Sequence, residues 1–368
     1  MKTSSPIAYL GMTALTLALL SLLYAGAFYY QLGALVSAEY WMYETQIVKR
    51  DLLEQNRRKR KILLTAGSSA LFGIDSSRIE AALGIPTINM GLHLGRPVEY
   101  ILNEIEPYVK PGDIVVLPLE YEQYSSTTAY NSWFTDQTMA WNPDYFRQLN
   151  LKEKLRFMFS IRPQRILVGV MTQGLGEQLE IVRQRRLKSP EQILSRVHTA
   201  WAQKNYRPDG MYLFLNSDPH GDAIFRSPEP QAQPGGDPYV LGPDFVESPY
   251  FWQVLQDFAV RCRTRGIDLY VAWPPVMEGL LDFNAPPVSH SVNVITKRLR
   301  GMGVSMLGNP SDFQYARGRF TGNLYHLTTQ GRTEHTTRLL GHMMSAMRSL
   351  PRPEEYKIVT AGHPSARP

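Results

Sequence analysis

The chain has 368 residues, enough for one large domain or two ordinary ones. Hydrophobic residues make up 43% and charged residues 20%, which excludes a disordered chain, and one cysteine, Cys262, excludes an internal disulfide framework. The net charge of +6 is diffuse apart from the run Arg57-Arg58-Lys59-Arg60-Lys61, which reads as a solvated stalk, so no nucleic-acid binding is inferred.

No charged side chain occurs from Thr3 to Ala38, and Ile7–Tyr30 is almost unbroken apolar sequence. That is long enough for a membrane-spanning helix, which needs roughly 20 apolar residues. Tyr29, Tyr30, Tyr40, Trp41 and Tyr43 suit the interfacial zone. The alternative is a cleaved signal peptide with Ala25-Gly26-Ala27 as its processing site, although the apolar run exceeds a usual signal core. Lys2 precedes the span and no Lys or Arg follows it until Lys49, a bias that puts the N-terminus inside.

Residues 39–60 read as an amphipathic stalk helix. Short apolar runs at Ile62–Ala66, Pro86–Met90, Ile114–Leu119, Ile267–Ala272 and Val304–Leu307 predict five buried parallel strands. Predicted helices alternate with them: a short one capped by Ser76 or Ser77 and stopped at Gly84, then about 97–109, 249–265, 290–301 and 328–350. The expected fold is α/β, a doubly wound parallel sheet with ligands beyond the carboxyl ends of its strands. Residues 125–248 interrupt the alternation, with a helical middle (about 151–203) and a Pro/Gly-rich loop at Pro228–Pro243; they read as an insertion forming a substrate or partner surface. Residues 351–368 read as a flexible tail.

Gly67-Ser68-Ser69 follows the first strand, where a serine at a strand-to-helix turn can sit near helix N–H groups. The same tripeptide also makes an ordinary capping turn. Tyr325-His326-Leu327 precedes the last helix, from where a histidine can reach back to strand one. A lone histidine is commonly structural, but paired with that serine it reads as a base beside a nucleophile. His93 either contacts substrate or packs at a strand end. Asp218-x-His220-x-Asp222 has metal-ligand character, yet Pro219 and Gly221 favour turn chemistry. The stripe Phe157, Phe159, Ile161, Ile166, Val168 and Val170 faces either the core or a membrane, with the core preferred. Trp133, Trp141 and Tyr145 suit either sugar stacking or burial.

The segment ILLTAGSSALFGID resembles block I of the SGNH (GDSL-type) hydrolase superfamily, INMGLHLG resembles block II, and NLYHLTTQGR resembles block V. The similarity covers about 61–124 and 249–345 and is nearest to membrane-anchored, extracytoplasmic members that accompany membrane-bound O-acyltransferases in acetylating exopolysaccharides such as alginate or cellulose. It implies a flavodoxin-like core with Ser69 as nucleophile, His326 as general base, and Ser69 and Gly91 N–H groups as the oxyanion hole. Two positions depart from the pattern. Asn323 stands where the family carries Asp, so either Asn323 or Asp312 would orient His326, and block III is replaced by Pro118-Leu119-Glu120-Tyr121-Glu122. Glu120 or Glu122 would then bind sugar hydroxyls in the crevice.

The expectation is therefore an inner-membrane, single-pass protein whose periplasmic domain is a serine O-acetyltransferase or esterase acting on a surface polysaccharide, with no metal or organic cofactor. The alternative is a non-catalytic, degenerate domain that binds polysaccharide or docks on a membrane-bound O-acyltransferase. The missing Asp and the missing block III favour the alternative.

Overall fold

Five short strands form one parallel sheet in the computed structural model: β1 (Ile62–Leu64), β2 (Thr87–Asn89), β3 (Ile114–Pro118), β4 (Asp268–Ala272) and β6 (Ser305–Leu307). Their order is β2-β1-β3-β4-β6 and every pairing is parallel. β1, β2 and β3 are buried throughout; β1 and β3 are accordingly continuous apolar runs, while β2 is Thr-Ile-Asn with both polar residues buried. The chain reverses its direction of growth between β1 and β3, opening a crevice beyond their carboxyl ends. A separate two-strand ladder joins β5 (Val276–Met277) to β7 (Gln314–Tyr315).

The structure describes residues 6–36, 39–175, 189–206, 213–225 and 239–348. The expected tail at 351–368 and most of the Pro228–Pro243 loop lie outside them.

The helices are α1 (Pro6–Tyr30), α2 (Tyr40–Gln55), α3 (Ser68–Gly73), α4 (Ser76–Leu83), α5 (Val98–Ile105), α6 (Ser132–Trp141), α7 (Pro143–Gln148), α8 (Leu151–Phe159), α9 (Pro163–Leu175), α10 (Pro190–Gln203), α11 (Pro249–Thr264), α12 (Pro286–Gly301) and α13 (Thr329–Arg348). α11 packs on β4 and α5, while α12 and α13 pack on β6. The cap of α4 is Asp75, not a serine: its carboxylate accepts from Arg78 N at 3.1 Å and Ser77 Oγ at 2.6 Å. Gly84 closes that helix in the left-handed region at φ 67°.

α1 is apolar and long enough to cross a membrane, with a mean hydropathy of 1.8 over its best window. Its end belongs to the domain. Phe28 is fully buried with Phe146, Phe157, Ile161 and Ile166 in a second core, apart from the core around the sheet.

α2 is docked, unlike the expected stalk, burying Met42, Val48, Leu52 and Leu53. The buried Lys49 Nζ donates to Asn89 O and Gly221 O, each at 2.6 Å. The basic run that follows is exposed, as expected, except for its last residue, Lys61. Lys61 and Asp113 form a fully buried ion pair at 2.6 Å, Arg60 donates to Gly112 O, and Arg57 pairs with Glu54. Residues 213–225 of the expected insertion are also tied to the sheet. Asp222 accepts from Ser76 N and Oγ and from Asn89 Nδ2, and pairs with Arg332 of α13.

Candidate functional site

β1 runs into Gly67 and then α3, so Ser68 and Ser69 stand at the carboxyl end of the sheet. The two serines point to different surroundings. Ser69 is 1% exposed and its Oγ donates to Pro118 O at 3.2 Å. Ser68 is half-buried, and its hydroxyl makes no protein hydrogen bond among the described residues. Ser68 lines a cavity of about 410 Å³ together with His326, Asn323, His93, Trp41 and Glu39, with Phe72 and Leu92 as apolar walls. Ser69 does not line it.

Glu120 follows β3 and lies beneath this turn. Its carboxylate accepts from Ser69 N at 2.8 Å and Gly67 N at 3.0 Å, and it is wholly buried. Burial pushes its carboxyl above the usual range, against the pull of those backbone donors. A Cβ at residue 67 would collide with this carboxylate, so the glycine is required by the close approach of Glu120. Glu122 is bound to Tyr325, whose hydroxyl donates to it at 2.8 Å. Neither glutamate lines the cavity.

Gly91 follows β2, and its N–H donates to Asn89 Oδ1 at 2.8 Å. Asn89 Nδ2 donates to Ala70 O and Asp222 Oδ1, which fixes that amide. A Cβ at residue 91 would come within 2.6 Å of Ala70 Cβ. Both expected oxyanion donors, Ser69 N–H and Gly91 N–H, are thus satisfied internally.

His326 sits on a tight loop closed by Phe320 pairing with Leu327, with Gly322 at φ 72° in the left-handed region. Asn323 Oδ1 accepts from the N–H groups of Tyr325 at 2.9 Å and His326 at 3.0 Å. Its Nδ2 must therefore face the imidazole, and it donates to Nε2 at 3.0 Å. With Nε2 held as an acceptor, the ring proton belongs on Nδ1, which is buried and has no hydrogen-bond partner among the described residues. Burial, with a smaller contribution from His93, lowers the His326 pKa to about 3. The Phe72 ring lies 4.3 Å from the imidazole, centroid to centroid. An Asp in place of Asn323 would accept a ring N–H and leave the other nitrogen basic; the amide does the reverse. Asp312, the other candidate partner, lies near His342 at 3.3 Å and accepts from Asn309 N.

His93 also reaches the cavity, stacked on Trp133 with centroids 4.0 Å apart and planes 10° apart. Its Nδ1 accepts from Gly95 N at 2.9 Å, so the proton lies on Nε2, and burial lowers its pKa. Trp141 and Tyr145 pack elsewhere, against Tyr40 and Tyr100 respectively. The Asp218–Asp222 loop makes a turn in which Asp218 Oδ1 accepts from the N–H groups of His220 and Asp222. Among the described residues, no three His, Cys, Asp or Glu side chains are grouped as metal ligands.

Two cavity residues, Glu39 and Trp41, come from the segment read as a stalk. Their signal was the apolar spacing Met42, Val48, Leu52, which marks a docked face and brings the start of α2 over the crevice. No protein-family model matches the sequence, and no curated protein matches it.

Proposed function

We propose that this chain is a membrane-anchored, extracytoplasmic domain of the SGNH type that binds an oxygen-rich unit of a surface polysaccharide without transferring an acyl group. One observation carries the reading: the two backbone donors that would hold an oxyanion are occupied, Ser69 N–H by Glu120 and Gly91 N–H by Asn89. An oxyanion hole stabilises charge only through donors that are free to meet it, and a carboxylate on one of them opposes that charge. His326 agrees with this, since its Nε2 accepts from an amide and its Nδ1 carries a proton. Such a ring donates hydrogen bonds instead of removing protons.

The chemistry of the cavity names the ligand class. His93 Nε2–H and the Ser68 hydroxyl are donors for sugar or acetyl oxygens, Glu39 offers an acceptor, Trp41 supplies an apolar face, and the His326 ring forms part of the wall with Nδ1 buried behind it. The charge bias around α1 supports an orientation with residues 40–368 outside the inner membrane, within reach of such a polymer.

Calorimetric titration of the protein with acetylated and unacetylated oligosaccharides of alginate and cellulose tests the proposal. Binding is expected to weaken at least about tenfold, or roughly 1.4 kcal/mol, in Trp41→Ala and in His326→Phe. Acetyl-ester turnover dependent on either serine would overturn it. The second reading, a serine acyltransferase or esterase, is favoured by the unbonded Ser68 hydroxyl sharing a cavity with His326. In that case a fluorophosphonate probe would label the wild type and lose its target in Ser68→Ala, or in Ser69→Ala if Ser69 is the nucleophile.

A further inference from the structure

The stripe on α8 and α9 divides in the fold. Phe157, Ile161 and Ile166 are buried around Phe28, whereas Phe159 and Val168 are exposed. They join Leu151, Leu155, Leu167 and Met171 on a surface where Phe159 is 83% and Leu151 is 74% exposed. So much apolar surface on one short stretch needs a cover.

The end of α1 runs against this pair of helices. Tyr24 Oη donates to Met158 O at 2.7 Å, and Arg165 Nη1 donates to Gln31 Oε1 at 3.1 Å. A Cβ at residue 169 would collide with Gln31, so α9 and the end of α1 are in close contact. From Pro6 to Leu23, every residue of α1 is exposed. That exposed length is about 27 Å, close to the roughly 30 Å hydrocarbon core of a bilayer. α8 and α9 therefore flank α1 where it would leave the membrane.

We infer that α8 and α9 lie in the bilayer interface, seating the domain on lipid beside its anchor; this rests on α1 spanning the membrane. Leu151, Leu155, Phe159, Leu167, Val168 and Met171 enter the acyl region. Lys152 and Arg162, which have no ion-pair partner among the described residues, meet anionic headgroups. A groove of about 830 Å³ on the same face is lined by Lys152 and Arg156 beside Leu155 and Phe159, a pairing of charge and apolar wall that suits a phospholipid.

The test uses the full chain in vesicles of phosphatidylcholine and phosphatidylglycerol, carrying an environment-sensitive fluorophore on one introduced cysteine. The native Cys262 is buried. Labels at Phe159→Cys and Val168→Cys should shift to the blue and be quenched by lipid-borne nitroxide several-fold more strongly than a label at Val246→Cys, which is exposed on the loop before α11. A label at Leu15→Cys reports the anchor separately. Leu15 shielded by lipid with Phe159 open to iodide would overturn the inference alone; Leu15 open to iodide would overturn the anchor itself. Phe159 open in vesicles but shielded in native membranes would identify a protein partner and also overturn lipid docking.

Discussion

At the scale of single residues, Asn323 decides what His326 can do. Its Oδ1 is fixed by two backbone N–H groups, so the hydrogens of Nδ2 are the ones presented to the ring. Replacing Asn323 with Asp should move the ring proton from Nδ1 to Nε2 and raise the histidine pKa, because a carboxylate accepts that proton and stabilises the imidazolium. Nitrogen chemical shifts of the imidazole would report both changes, and unchanged shifts would refute this account of the tautomer. If an acyl-transfer site is otherwise intact, the same variant should gain at least about tenfold in ester turnover, or about 1.4 kcal/mol of barrier. His326 also predicts a pH dependence. Its pKa falls from an ordinary 6.5 to about 3, so between those values the unfolded chain binds a proton that the folded chain excludes. Stability is full above 6.5 and falls as the pH drops through that window, by at most about 1.4 kcal/mol per pH unit for this group. Urea midpoints of His326→Gln should depend less on pH than those of the wild type. The buried His335, also lowered to about 3, would supply a similar slope in both.

At the scale of elements, the five strands stand within a residue or two of the apolar runs that predicted them, although Thr87, Asn89, Asp268 and Ser305 put polar residues at the ends of β2, β4 and β6. The ends of the helices were harder to read. Ser76 and Ser77 both have the chemistry of a cap, yet Asp75 takes the role because its carboxylate reaches Arg78 N. The join between α2 and β1 depends on Lys61 and Asp113. Asp113 also accepts from Lys61 N and Lys110 N, so it pins the start of β1 to the turn before β3. Asp113→Ala would leave a buried ammonium without a partner, with an expected loss of about 3–5 kcal/mol in urea unfolding. A loss below about 1 kcal/mol would mean that Lys61 finds water in the variant.

At the scale of the molecule, the core around the sheet is accompanied by a separate core around Phe28. The Phe28 core joins the end of α1 to α7, α8 and α9, so the apolar helix meets the domain through packed aromatic rings and not through a loose linker. The orientation that follows from the charge bias is testable: a periplasmic phosphatase fused after residue 348 should be active and a cytoplasmic reporter inactive. The opposite pattern would remove both the localisation and the polysaccharide ligand.

The sequence by itself determined the apolar helix, the α/β alternation and the closeness of the first-strand serines to the last-helix histidine, because each rests on local periodicity and on a topology that gathers strand ends. It also singled out Asn323, three residues before His326. Only the tertiary structure decided that Ser69 turns inward while Ser68 lines the cavity, since one residue along a helix start rotates a side chain by about 100°. It alone brought Glu120 under Gly67 and Asn89 onto Gly91, contacts 53 and 2 residues apart whose meaning depends on where a carboxylate and an amide point. Hydrogen-bond direction is a property of packed neighbours, and no spacing along the chain encodes it.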